Sequence, residues 1–468
     1  MQMSKAQVLK LRAKHFSKRV SVSYANSGPL MIVGGHGSRL IDETGRSYLD
    51  TRNNVAHCGH NHPRVIEAVQ RQVATLNTNT RYLHPNVVEL AKRLADTLPD
   101  PLEVVFFVNS GSEANDLALR LARAYTRSKN TIVVDGAYHG HTLATLEVSP
   151  YKYEHSAEFS LSAPTTGTEY ATPGPHIWKV PCPDTFRGRH RDVTDAAEKY
   201  AEYVRQACAH YLQQQNEKVG AFIVEGGMSV AGVILPPPTY LKQCVEAVHQ
   251  AGGVYIADEV QTGFGRFGSC FWAFQHQQSQ EHDPVTPDIV TIGKPFGNGM
   301  PLAAVVTNRE IAEAFESMGV EYFNTFAGNP VCAAAGLAVL DAIEAEKLQE
   351  RAKDVGDYLK SKFVELQMSL DIIGDVRGSG LFLGIELVRN RETLEPASEE
   401  TSFLCMILKE KYFVLTSIDG FHENVLVVKP PMSFSRADAD EFINCFEQAI
   451  RQDLAAVEDV TVMSKTPT

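Results

Sequence analysis

The chain has 468 residues, 44% of them hydrophobic and 21% charged, and a formal net charge of −12. Length and apolar content predict a soluble globular protein with a substantial core and two or three domains. The acidic balance gives no electrostatic basis for nucleic-acid or membrane-surface binding, and no apolar run approaches the roughly 20 residues of a membrane span.

The first acidic residue is Asp42, and Lys5, Lys10, Arg12, Lys14, Lys18 and Arg19 form an acid-free basic stretch before it. Organelle transit peptides have that composition, whereas no secretory signal pattern opens the chain. Farther on, His57, His60 and His62 crowd a loop ending in Pro63. No carboxylate accompanies them, so they read as structural and no metal is expected. Val104 to Val108 is a strand that runs into Asn109-Ser-Gly-Ser-Glu-Ala-Asn115, followed by a helical apolar pattern through Leu117, Leu121 and Tyr125. A strand, a small-residue turn and a helix N-terminus present free amides and a dipole that favour a phosphate.

Further strands are expected at Thr131 to Asp135, Ala221 to Glu225, Gly253 to Asp258, Asp288 to Ile292 and Ala303 to Thr307. Their alternation with helical patterns predicts an α/β fold with a mostly parallel sheet. The Ser-, Thr-, Pro- and Gly-rich stretch from His155 to His176 reads as a surface insertion, with a lid as the alternative. Gly263-Phe-Gly-Arg-Phe-Gly268 matches the dinucleotide fingerprint literally, but Ser269-Cys-Phe-Trp-Ala-Phe274 makes no amphipathic helix after it, so dinucleotide binding is rejected. A second unit is expected after Asn329-Pro330, with helices through Ala333 to Ile343 and Leu348 to Leu366 and strands at Leu381 to Val388 and Val425 to Val428. Eight cysteines are scattered without Cys-x-x-Cys spacing. They read as reduced intracellular thiols.

The chemistry concentrates at two strand ends. Lys294, in Thr291-Ile-Gly-Lys-Pro-Phe-Gly-Asn-Gly-Met-Pro301, is a lysine at the end of a buried strand and wrapped in glycines; such a lysine can shed its proton and form a Schiff base. Asp258 ends Gly253-Val-Tyr-Ile-Ala-Asp258, where a carboxylate can hold a pyridinium nitrogen protonated and keep the ring an electron sink. Ligands of open α/β sheets gather at such carboxyl ends.

With these motifs in this order, residues 20–450 resemble the class III aminotransferase family of fold-type I pyridoxal phosphate (PLP) enzymes. The resemblance implies a large domain with a mostly parallel sheet and a smaller α+β C-terminal domain: residues 1–60 as an N-terminal arm and part of the small domain, 61–330 as the large PLP-binding domain and 331–468 as the C-terminal small domain. It implies that Lys294 carries PLP and Asp258 pairs with the ring nitrogen. Ser110, Gly111 and Ser112 would cradle the phosphate, Tyr138 and His139 of Gly136-Ala-Tyr-His-Gly140 would contact the ring, Gln261 its hydroxyl, and Thr325 the phosphate of a neighbouring subunit. A homodimer with shared sites and an arm packed on it follow, which favours the cytoplasm over a cleaved mitochondrial presequence.

The substrate side departs from ordinary aminotransferases of the class. Many have an arginine three residues before a Pro-Pro pair, whose fork clamps an α-carboxylate; this chain has Val427-Val-Lys-Pro-Pro431, so Glu225 lacks that partner and a substrate without an α-carboxylate is expected. Asn53-Asn-Val-Ala-His57, Leu76 to His84, Tyr322-Phe-Asn-Thr325 and Lys429-Pro-Pro-Met432 are similar to the ethanolamine-phosphate and phosphohydroxylysine phospho-lyases. That likeness implies elimination from a small phosphorus-bearing amine, with Arg52, Asn53, Arg81 and Lys429 as substrate contacts. Met228, Met300 and Arg52 depart from the sub-group pattern near the expected pocket. An ammonia-lyase acting on 2-amino-1-hydroxyethylphosphonate is therefore a sibling reading, and an ω-aminotransferase using a keto acid is the alternative from another class.

Overall fold

The computed structural model describes residues 3–154, 176–214, 216–276 and 285–456. Apart from His176, the segment read as an insertion or lid lies outside these residues. A seven-stranded sheet organises the large part of the chain, with strands β1 (Val104–Val108), β2 (Thr131–Val134), β3 (Ile177–Val180), β4 (Ala221–Glu225), β5 (Val254–Asp258), β6 (Ile289–Ile292) and β7 (Ala303–Thr307) in the order β1-β7-β6-β5-β4-β2-β3. Pairing is parallel from β3 through β6. Only β7 runs the other way, antiparallel to both β6 and β1.

Every residue of β2, β4, β5, β6 and β7 is buried. Burial on both faces is why these strands read as unbroken apolar runs rather than alternating ones. The edge strand β3 was not foreseen: Ile-Trp-Lys-Val buries only Val180, so its pattern is too weak to separate from a loop.

Register places the chemistry. Glu225 on β4 is the lateral partner of Asp258 on β5, and Asp258 that of Thr291 on β6. In-phase parallel strands point paired side chains to the same face, so the two carboxylates sit side by side, with Lys294 three residues beyond Thr291. The helix Gly111–Thr126 follows β1, and its N-cap Ser110 accepts a hydrogen bond from the Glu113 amide.

A second sheet has the order Ile373–Ser379, Phe382–Asn390, Val425–Val428 and Ser417–Asp419, all antiparallel. The helices Leu348–Gln367, Ser398–Lys411 and Arg436–Gln448 belong to the same stretch of chain. The last two were missed because charged and polar residues interrupt their apolar faces. Near the N-terminus, Ile32–His36, Arg39–Asp42 and Ser47–Asp50 form a small sheet completed by Val414–Leu415, which pairs parallel to Leu49 and Asp50. The Lys429 amide bonds the Thr51 carbonyl at 2.8 Å and the Met432 amide the His57 carbonyl at 2.7 Å. Residues 50–57 and 429–432 are thereby held together beside the large sheet. Among the described residues no helix is long and apolar enough to cross a membrane.

Candidate active site

A cavity of about 370 Å³ opens at the carboxyl ends of β1, β4, β5 and β6 and takes in Asp258, Glu225, Lys294, Tyr138, His139 and Gln261, together with Ser110, Gly111 and Ser112. Asp258 is only 3% exposed. Its Oδ2 accepts from Asn115 Nδ2 at 2.8 Å and bonds His139 Nδ1 at 2.7 Å, while Oδ1 accepts the Val260 amide at 3.0 Å. Asn115 in turn accepts from Thr291 Oγ1 at 2.6 Å and donates to the His139 carbonyl at 2.7 Å. Three elements thus fix one carboxylate. Asn115 was quoted within its motif but given no role; its place one helical turn after Gly111 was the available signal.

Burial lowers the proton affinity of Lys294, with the charges of Asp258 and Glu225 opposing that shift. Glu225 is pushed up to about 7, first by burial and then by the neighbouring Asp258 carboxylate. One Glu225 oxygen accepts the Ser229 amide at 3.2 Å. The other, and His139 Nε2, have no partner among the described residues.

Glycine is required where backbones meet. A Cβ on Gly111 would stand 2.6 Å from Val260 Cγ1, so the helix N-terminus can approach the β5 end only without one. Gly140 has a φ of +135°, and a Cβ there would come within 2.8 Å of the Ser112 Cα. Ser112 Oγ accepts the His141 amide at 3.0 Å, which ties the 136–140 turn to the helix start. Tyr138 stands edge-on to Tyr151, ring centroids 6.3 Å apart.

The expected substrate contacts divide into three places. Lys429 is buried behind the cavity wall, where its ammonium donates to Ser229 Oγ at 2.6 Å and Gln261 Oε1 at 3.1 Å; two of its three donors are committed to protein. Asn54 Nδ2 also points at Gln261 Oε1, at 3.4 Å. Two donors on one end of this amide identify that end as oxygen and leave the Nε2 hydrogens for an acceptor elsewhere. Arg52 and Asn53 line an adjoining cavity of about 460 Å³ that shares Val55 with the first, and Arg52 donates to Ser23 Oγ at 3.1 Å.

Arg81 lies on the surface, its guanidinium 4.1 Å from the Phe323 ring centroid and 3.7 Å from Glu321. Thr325 is exposed on the same side of the chain, and neither lines the cavity. Of the two methionines flagged as departures near the pocket, Met300 lines it. Met228 does not: it is fully buried, bridged to Ile234, with Cys182 Sγ 3.8 Å from its sulfur.

The histidine trio disperses to three partners: His57 to the Phe264 carbonyl at 2.9 Å, His60 to Asp50 at 2.7 Å and His62 to Glu346 at 2.9 Å. No set of three metal-ligating side chains converges among the described residues. In the glycine-rich 263–268 segment, Arg266 is buried and spends its donors on the Leu381 and Pro430 carbonyls. The segment anchors the C-terminal strands, and turns follow it where a nucleotide fingerprint needs a helix.

The family model for aminotransferase class-III matches residues 21–450. An alanine–glyoxylate aminotransferase 2-like protein of Drosophila melanogaster is 45% identical, covering 99% of this chain and 92% of its own length. An ethanolamine-phosphate phospho-lyase homolog 1 of Caenorhabditis elegans is 39% identical over 96% of this chain and 94% of its own. Among solved structures, a phospholyase from Arthrobacter in complex with phosphoethanolamine superposes with a TM-score of 0.85 at 36% identity, covering 95% of this chain and 99% of that one.

Proposed function

The chain belongs to the class-III aminotransferase family, whose fold-type I members are PLP-dependent enzymes, and from that premise we propose a lyase acting on a small amine that carries phosphate or phosphonate, with release of ammonia and an aldehyde. The observation that carries this reading is the missing fork: the place of a carboxylate-clamping arginine, three residues before Pro430, holds the buried Val427, and the nearby Lys429 offers only a single ammonium, engaged with Ser229 and Gln261. A monodentate, committed cation is a poor grip for an α-carboxylate.

The cavity fits PLP in this reading. Asp258, held by three donors, would face the ring nitrogen, the orphaned Glu225 oxygen and His139 Nε2 lie in the same wall, and Ser110, Gly111 and Ser112 at the helix N-terminus would hold the phosphate. When bound, PLP supplies an electron sink that acidifies the substrate carbon next to nitrogen. Lys294, its ammonium disfavoured by burial, takes that proton as a neutral amine. Tyr138 covers a ring face, and Gln261 offers its Nε2 hydrogens to the ring hydroxyl. Arg52 and Asn53 in the adjoining cavity face the distal end of the substrate.

A second copy of the chain completes the site. Tyr82, Leu83 and Phe326 are 70%, 99% and 70% exposed beside Arg81 and Thr325, an apolar surface suited to a partner. In the dimer Thr325 and Arg81 would reach the neighbouring site.

The alternative is an ω-aminotransferase with a keto-acid acceptor, favoured by the 45% identical relative named as an aminotransferase. Incubation with ethanolamine phosphate and with 2-amino-1-hydroxyethylphosphonate, without keto acid, separates the readings. Ammonia with inorganic phosphate marks the phospho-lyase and ammonia alone the hydroxyphosphonate lyase. Absence of ammonia overturns the lyase reading.

A further inference from the structure

The loop that carries Arg52 and Asn53 is held by side chains with no role in the chemistry proposed for Lys294. Asp50 ends the strand Ser47–Asp50 and is fully buried. Its Oδ1 accepts the amides of Arg52 and Asn53, each at 3.1 Å, and its Oδ2 bonds His60 Nε2 at 2.7 Å. One carboxylate therefore sets the turn from its inner side. His60 is itself fixed, because its amide and carbonyl pair with Gly37 at 2.8 and 3.1 Å. Asn53 Oδ1 then accepts the Val55 amide at 3.1 Å, and Val55 lines both cavities.

Asn298 joins this loop to the lysine. It follows the short turn Lys294–Gly297, and its backbone is left-handed at a φ of +44°. Its Oδ1 accepts the Cys58 amide at 2.8 Å and its Nδ2 donates to the Gly59 carbonyl at 3.1 Å. A side-chain amide that accepts from and donates to one stretch of chain replaces a backbone pairing. Lys294 is thus tied through Asn298, residues 58–59 and His60 to Asp50, and through Asp50 to Arg52 and Asn53. Such ties matter because a shift of about 1 Å between reacting and gripping groups costs on the order of 100-fold in rate.

We propose that Asp50 and Asn298 are positioning residues that fix the distance between the Lys294 amine and the loop of Arg52 and Asn53, and thereby the length of substrate the site accepts. It rests on the reading that Arg52 and Asn53 face the distal, phosphorus-bearing end of the substrate. A loop tied at both Asp50 and Asn298 suits one spacing between amine and anion. A loop freed at either point adapts to others. Selectivity by length is therefore the property these two residues control, with His60 holding Asp50 in place.

The test uses the PLP-loaded enzyme and two probes without a leaving group, 2-aminoethylphosphonate and 3-aminopropylphosphonate, titrated by the change in visible absorbance. The parent is expected to bind the shorter probe about tenfold tighter or better. Asn298→Gly keeps the left-handed backbone and removes both bonds, and Asp50→Ala removes the carboxylate; each should bring the ratio below about threefold. Asp50→Asn, which still accepts both amides, should restore most of it. Cofactor absorbance and a melting temperature close to the parent's show that each variant is folded and loaded; if Asp50→Ala does not fold, Asn298→Gly alone decides. An unchanged ratio in Asn298→Gly overturns the inference, as does a parent that binds both probes equally. The two ideas fail separately: ammonia release by the parent with an unchanged ratio in Asn298→Gly keeps the lyase and removes the positioning role, whereas a collapsed ratio without any ammonia release from ethanolamine phosphate does the reverse.

Discussion

Replacing Asp258 by Asn tests the electronic core of the site, because the two side chains share a shape and differ in charge. All three contacts to the carboxylate come from donors: Asn115 at 2.8 Å, His139 at 2.7 Å and the Val260 amide at 3.0 Å. An asparagine must turn its own NH2 toward at least one of them. One lost buried hydrogen bond costs about 1–3 kcal/mol of stability, small enough for the variant to fold. The catalytic loss is larger. A carboxylate about 3 Å from a protonated ring nitrogen, at an effective dielectric of about 20, contributes about 5 kcal/mol. A neutral hydrogen bond from the amide recovers about 1 kcal/mol, so kcat should fall about 1000-fold. The assay is initial ammonia release from ethanolamine phosphate, run beside the visible absorbance that reports cofactor occupancy. A fully loaded Asp258→Asn enzyme turning over within about fivefold of the parent would refute the assignment.

Lys294→Ala should abolish covalent attachment of PLP, so that the visible absorbance is lost on gel filtration while far-ultraviolet circular dichroism stays as in the parent. Glu225 predicts a pH effect on the cofactor-free protein. Its carboxyl lies near 4.5 unfolded and about 7 folded, so the folded state binds more protons between those values and stability falls as pH rises through that window, by about 3 kcal/mol in all. Glu225→Gln should flatten that part of the pH–melting curve and raise the melting temperature at pH 8; an unchanged curve counts against the neutral carboxyl. Gly140→Ala forces a Cβ to 2.8 Å from Ser112 at a φ of +135° and should cost about 2–4 kcal/mol, read as a lower denaturant midpoint together with weaker PLP retention. Leu83→Lys, on the exposed apolar surface, should shift the particle mass toward a single chain in light scattering and lower activity with it; full activity in a single-chain species would exclude shared sites.

Much of the sheet was legible because strands buried on both faces are continuous apolar runs, and the observed β1, β4 and β7 coincide with the runs ending at Val108, Glu225 and Thr307. Positions of Lys294, Asp258 and Glu225 at strand ends were legible for the same reason: a charge closing such a run marks where the chain leaves the core. The supporting groups were not. Asn115 and Ser229 act across long stretches of intervening chain, Asn115 on Asp258 at a separation of 143 and Ser229 on Lys429 at 200. Local spacing carries no trace of such pairs. Lys429 was foreseen as a substrate contact, but its commitment to Gln261 depends on how residues 50–57 and 429–432 join, which only the folded chain displays.

The consecutive acids Asp258 and Glu259 give the end of β5 a further meaning. Successive residues on a strand face opposite ways, so Asp258 turns to the cavity while Glu259 turns away, accepting from Thr262 at 2.7 Å and from the Phe274 amide at 2.8 Å. The strand tip therefore joins the cavity to the turn that carries Arg266 to the Pro430 carbonyl. The proposed contact to the ring nitrogen would thus share one peptide unit with the anchor of the C-terminal strands.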